Sequence, residues 1–224
     1  MAESIIAEQH TNGAAFAHQF DDVEQQRDAA TMGMWIFLVT EVMFFGGLFA
    51  SYVVYRAMYP TAFAVASREL DVALGTINTA VLLLSSFTMV VAVFGAQTGS
   101  RRTLIGGLAL TVLLGLVFLA IKFYEYYQKY VEHFIPGPSF AFPQPYAQPA
   151  KMYFTLYFAM TGLHAIHMIV GCGLLSVLII MAWRGRFTPA YYSPVELSGL
   201  YWHFVDIIWI FLYPLLYLIG RHLG

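Results

Sequence analysis

Six ionisable side chains lie inside or beside long apolar runs, and their types set what chemistry the chain could host. Glu41 stands in TEVMFFGGLFASY, and no other Asp, Glu, Lys or Arg occurs from Met32 to Tyr55. His164 and His167, in YFAMTGLHAIHMIVG, are three residues apart and share a helix face; His203 and Asp206, in YWHFVDIIWIFLY, do the same. Glu125, in IKFYEYYQKY, precedes Lys129 by four residues, the favourable spacing for a helical ion pair. Carboxylates and imidazoles could together hold iron or zinc, yet no HExxH or ExxH motif occurs, and HxxH alone is a weak signal. They could also carry protons or ions, but no internal repeat or pair of interrupted half-helices marks a transporter. The third option is structural. A charged group in lipid costs roughly 2.5–3.5 kcal/mol on insertion scales, so it turns inward and pairs. On that reading Glu41, Asp206 and the three histidines bond across helices, Glu125 pairs with Lys129 near the membrane surface, and Lys122 extends its amine to that surface.

The elements that must position these groups are membrane helices. The chain has 224 residues, 59% hydrophobic and 11% charged, against about 25% charged in soluble domains. A net charge of −2 gives no footing for nucleic-acid binding. About 20 apolar residues cross the hydrocarbon, and five segments qualify: Met32–Tyr55, Val72–Gln97, a run from Thr103 that stays uncharged to Ile121, Met152–Trp183, and Leu197–Gly220. Exposed backbone cannot face lipid, so an all-α membrane protein with five transmembrane helices in a bundle is expected. Tyrosines and tryptophans near the segment ends form an interfacial belt. Gly46, Gly47, Gly106, Gly107, Gly115, Gly171 and Gly173 are expected to let helices approach closely. The connection from Val131 to Ala150 holds five of the nine prolines and reads as an irregular surface loop. Residues 1–30 read as an acidic soluble tail, with six acids against one base in the first 28, and 31–224 as the membrane domain. The single cysteine, Cys172, excludes an intrachain disulfide and reads as a packing residue. Basic residues divide evenly between the two ends of the bundle, and only the short RR and RGR loops favour a cytoplasmic N-terminus.

Five stretches, in order, carry a resemblance: GMWIFLVTEVMFFGGLFASY, NTAVLLLSS, IKFYEYY, TGLHAIHMIVG and YWHFVDIIWIFLYPLLYLI. Together they closely resemble subunit III of haem–copper cytochrome c oxidases, in a bacterial five-helix form lacking the first two helices of the seven-helix members. The resemblance covers about Thr31 to Arg221. It implies a chain with no haem, copper or catalytic residue of its own, because haem and copper lie in partner subunits I and II. It implies packing beside subunit I, bound phospholipids, and support of proton uptake and stability during turnover in the bacterial inner membrane. Cytochrome c or a supercomplex would be met through the whole enzyme. Glu41 matches the carbodiimide-reactive acid of the family, and Phe37 and Arg184 fall where the family contacts lipid. His164, His167, His203, Asp206 and Glu125 are expected to form a buried polar network, with one histidine bonded to Glu41, itself protonated or paired. A quinol oxidase subunit, a homologue associated with nitric oxide reductase, and a free-standing intramembrane metalloenzyme are the alternatives.

Overall fold

The structure, a computed structural model, describes residues 23–189 and 191–218. Most of the acidic stretch, and Arg221, lie outside the described residues. The chain forms two compact units, Met1–Phe37 and Leu38–Gly224. In the first, residues 23–37 are helical, polar from Glu24 to Asp28 and apolar from Met32.

Helix α1 is Val23–Met58, α2 Pro60–Arg68, α3 Val72–Gln97, α4 Arg101–Val131, α5 Ala147–Trp183 and α6 Ser193–Tyr213; a π-helical turn, Pro214–Leu218, continues α6. All except α2 are long and apolar enough to cross a membrane. The protein is an all-α membrane protein with five such helices. Local chemistry sets the ends. Asp71 caps α3, its Oδ1 accepting from the amides of Ala73 at 2.8 Å and Leu74 at 3.2 Å. Helix α5 stops at Gly185, whose φ of +73° suits a residue without Cβ. There Arg186 N–H donates to Met181 C=O and Gly185 N–H to Ala182 C=O, closing the last turn. Pro214 has no N–H to continue the α-helical ladder, and the π turn begins at that residue.

Small residues decide the closest contacts. A Cβ on Gly107 would lie 2.8 Å from Ala92, and one on Gly95 2.6 Å from the Leu104 amide nitrogen. One turn further along, Thr88 Oγ1 and Thr111 Oγ1 are 2.7 Å apart, so α3 and α4 meet nearly backbone to backbone. Trp202 wedges between helices: its indole fills the notches left by Gly115 on α4 and Gly171 on α5, and its Nε1–H donates to Ser85 Oγ on α3 at 2.8 Å. Not every glycine expected to serve this purpose does so. Gly46, Gly47, Gly106 and Gly173 have no neighbouring atom where a Cβ would sit, because they face outward.

Within the second unit, α1 touches the bundle along one narrow seam. Leu38, Phe45 and Tyr52 are buried at seven-residue spacing, while Val39, Val42, Met43 and Phe44 are exposed. The short α2 lays Phe63 against Tyr52 and Tyr153, with ring centroids 5.5 and 5.4 Å away. The proline-rich connection after α4 is irregular, as expected, but it folds back: Phe134 and Phe142 pack on Phe154, and Phe142 is buried.

Candidate functional site

The intramembrane ionisable groups separate into distinct places. In the first, α1 meets α5. Glu41 Oε2 lies 3.2 Å from His167 Nε2, and His167 Nδ1–H donates to the Leu163 carbonyl at 2.9 Å. The ring of Phe45 sits 5.6 Å from the imidazole and shields one side. Both side chains are partly enclosed, Glu41 retaining 20% and His167 15% of their exposure.

The second place is fully enclosed and joins α4, α5 and the π turn. Lys122 Nζ donates to Glu125 Oε2 at 3.0 Å, to Tyr157 Oη at 3.0 Å and to Tyr217 Oη at 2.7 Å. Both tyrosine hydroxyls then donate to Glu125 Oε1, at 2.9 and 2.6 Å. A protonated amine has three donors, and all three are used. Each tyrosine oxygen accepts from lysine and so turns its hydrogen to the carboxylate. This closed pattern accounts for every polar atom of an ammonium–carboxylate pair. The rings of Tyr157 and Trp209 face the ammonium, with centroids 4.7 and 5.1 Å from Nζ.

These contacts correct two expectations. Lys122 does not reach the surface: it is 1% exposed. Glu125 pairs with Lys122 at i−3 rather than with Lys129, and Lys129 instead binds Glu132 at 2.5 Å. The physical reason is depth. Lys122 is enclosed among α4, α5 and the π turn, where two tyrosines supply the acceptors that water would otherwise provide.

The remaining candidates stay apart from both places. His203 Nδ1 lies 2.7 Å from Ser86 Oγ on α3. Asp206 is buried beside the Ser86 hydroxyl. His164 is buried without a hydrogen bond among the described residues, held between the rings of Phe118 and Trp209 at 5.4 and 5.2 Å. The five residues expected in one polar network therefore do not form one. His164 and His167 share a face by spacing, yet one points into the aromatic core and the other towards α1. Phe37 is exposed on α1, and Arg184 is exposed at the end of α5. Cys172 is a buried free thiol whose sulfur lies beside Gly115. Among the described residues, no three His, Cys, Asp or Glu side chains come together as a metal site would require.

Sequence reasoning missed Tyr157, Tyr217 and Ser86 as partners. A signal for Lys122 existed in its i,i+3 spacing to Glu125. Nothing local pointed to tyrosines 35 and 95 residues away.

The family described as cytochrome c oxidase subunit III matches residues 13–221. The probable cytochrome c oxidase subunit 3 of Nocardia farcinica is 34% identical over 209 residues, covering 93% of this chain and 97% of the relative. Cytochrome c oxidase subunit 3 of Thermostichus vulcanus is 30% identical over 218 residues, covering 94% and 96%. Cytochrome bo(3) ubiquinol oxidase subunit 3 of Pseudomonas aeruginosa is 27% identical over 223 residues, covering 98% and 99%. A match of that length, joined to five membrane-length helices, establishes that this chain belongs to the cytochrome c oxidase subunit III family.

Proposed function

We propose that this chain is the redox-silent subunit III of a bacterial respiratory cytochrome c oxidase, which as a whole reduces oxygen to water and pumps protons. In this reading haem and copper belong to partner subunits I and II. The chain packs beside subunit I, holds phospholipids, and supports proton uptake and stability during turnover. What carries the reading is the family match over residues 13–221. It is supported by two intramembrane carboxylates that are paired within the chain, Glu41 with His167, and Glu125 with Lys122 and two tyrosines.

The chain sits in the cytoplasmic membrane with its N-terminus in the cytoplasm. Supporting this, Arg101 and Arg102 at the start of α4 and Arg184 and Arg186 just after α5 gather at one end, where Arg101 donates to the Trp183 carbonyl. Phe37 and Arg184 contact lipid, the guanidinium of Arg184 being suited to a phosphate. A second reading, a quinol oxidase subunit, is favoured by the near full-length match to a ubiquinol oxidase subunit.

The test is purification through a tag on this chain in mild detergent. A reduced-minus-oxidised spectrum, metal analysis and turnover with cytochrome c or quinol follow. Haem and copper that co-purify and then leave with the partner subunits support the reading, and the accepted donor decides between the two oxidases. Metal that stays with the separated chain would overturn both.

A further inference from the structure

Where α2 leads into α3 and α4 ends, an open cleft of about 560 Å³ is lined by Arg68, Glu69, Asp71, Gln128, Lys129 and Glu132. That volume falls in the roughly 300–1,000 Å³ range of small-molecule sites. Some of its charges are already committed. Lys129, buried on one wall, donates to the Glu69 carbonyl at 2.6 Å and to Glu132 Oε2 at 2.5 Å. Others are free. Arg68 is exposed at the C-terminus of α2, and its guanidinium has no partner among the described residues. The exposed carboxylate of Glu69 likewise makes no hydrogen bond among them, and Asp71 uses only Oδ1 to cap α3. One cation without a partner among the described residues therefore shares a single cleft with carboxylate oxygens that accept no hydrogen bond from them.

We propose that this cleft binds the headgroup of a phospholipid bearing a primary amine, of the phosphatidylethanolamine type. Its position sets the source of the ligand. Val72 and Val131 are the ends of membrane-length helices, so the cleft lies at headgroup level. On the adjoining turns of α4, Tyr124, Tyr127 and Tyr130 are 55–65% exposed, as residues of an interfacial belt are. The charges set the chemistry. The lipid phosphate accepts from Arg68, and the ammonium donates to the Glu69 and Asp71 carboxylates. A phosphatidylglycerol could use Arg68 but would face those carboxylates without a cation. A choline headgroup carries a cation with no N–H to donate. The site lies at the opposite end of α5 from Arg184, and it stands whichever electron donor the assembled enzyme uses.

The experiment uses the purified complex containing this chain, reconstituted in nanodiscs doped with photoactivatable phosphatidylethanolamine, phosphatidylglycerol or phosphatidylcholine. Label on peptides spanning residues 68–73 and 128–132 is quantified by mass spectrometry. Phosphatidylethanolamine should label them roughly tenfold more than either other lipid, the scale of one charge-assisted hydrogen bond. Arg68→Gln should remove most of the label, while Glu69→Gln should narrow the preference over phosphatidylglycerol. Both residues are exposed, and an unchanged haem spectrum and melting temperature report intact folding. Equal labelling by phosphatidylglycerol would overturn the choice of headgroup. Label unmoved by Arg68→Gln, or found only on a partner subunit, would overturn the site.

Discussion

His167 Nε2 lies 3.2 Å from Glu41 Oε2 while Nδ1 of the same ring donates to the Leu163 carbonyl. A carbonyl only accepts, so Nδ1 carries a hydrogen in this arrangement. The contact with Glu41 then requires one further proton. It sits either on the carboxyl, facing an acceptor Nε2, or on Nε2, facing a carboxylate. With neither, two acceptors meet and the contact is lost. One shared proton thus holds α1 to α5 in mid-membrane.

Replacement of Glu41 by Gln keeps a donor facing Nε2, whereas Leu does not. Glu41→Gln should leave electron transfer in the assembled oxidase nearly intact, and Glu41→Leu should shorten the enzyme's thermal half-life. An intramembrane hydrogen bond of this kind is worth about 0.6–2 kcal/mol, so the loss is modest. Turnover and thermal inactivation on the two purified variants check this. Complete loss of activity in correctly assembled Glu41→Gln enzyme would give the acid a catalytic role and refute the structural one.

The Lys122–Glu125 pair behaves differently, because both partners are 1% exposed and every polar atom is matched. Removing one charge strands the other in a low-dielectric interior, at about 3–5 kcal/mol. Lys122→Met and Glu125→Gln should each sharply reduce incorporation of this chain into the complex. The double variant Lys122→Met/Glu125→Gln should recover much of it, since no lone charge remains. Blue-native gels and melting temperatures of the three variants measure the coupling. Additive losses in the double variant would show that the pair is not energetically linked.

How far the sequence disclosed this arrangement depends on the range of each contact. Helix α3 was legible end to end, because its run carries no formal charge from Val72 to Gln97. A histidine partner for Glu41 was also legible, from the cost of a lone acid in lipid. Which histidine was not. Residues three apart differ by about 60° around a helix axis, and only the packed position of α1 selects His167 over His164. The placement of Lys122 was misread for a related reason: its tyrosine partners come from α5 and the π turn, which no local pattern connects. Helix α2 escaped notice because nine residues with one proline and few large apolar groups look like a connection.

Carbodiimides attack protonated, accessible carboxyl groups, and the three intramembrane acids differ on both counts. Glu41 keeps 20% of its side-chain exposure, and one form of its contact with His167 carries the proton on the carboxyl. Glu125 is enclosed and held by an ammonium, and Asp206 is 3% exposed inside the bundle. Dicyclohexylcarbodiimide should therefore modify Glu41 and spare the other two. Peptide mapping of the labelled complex reads the outcome. Substantial label on Glu125 would mean that the Lys122 pair opens far more readily than its closed hydrogen bonding implies.

The two classes of membrane glycine give the last test. A Cβ at Gly107 would meet the backbone of Ala92 at 2.8 Å, and backbone atoms cannot rotate away. Gly107→Ala should force α3 and α4 apart at their closest approach, with a penalty of about 1–3 kcal/mol for overpacking. At Gly46 and Gly173 the same methyl group points into open space. There the helix gains from losing a glycine, by roughly 0.5–1 kcal/mol. Gly46→Ala and Gly173→Ala should accordingly hold or raise the melting temperature that Gly107→Ala lowers. If Gly46→Ala instead blocks assembly while the isolated chain stays folded, a partner helix lies against that outward face of α1, as the exposed strip at Val42 and Met43 would allow.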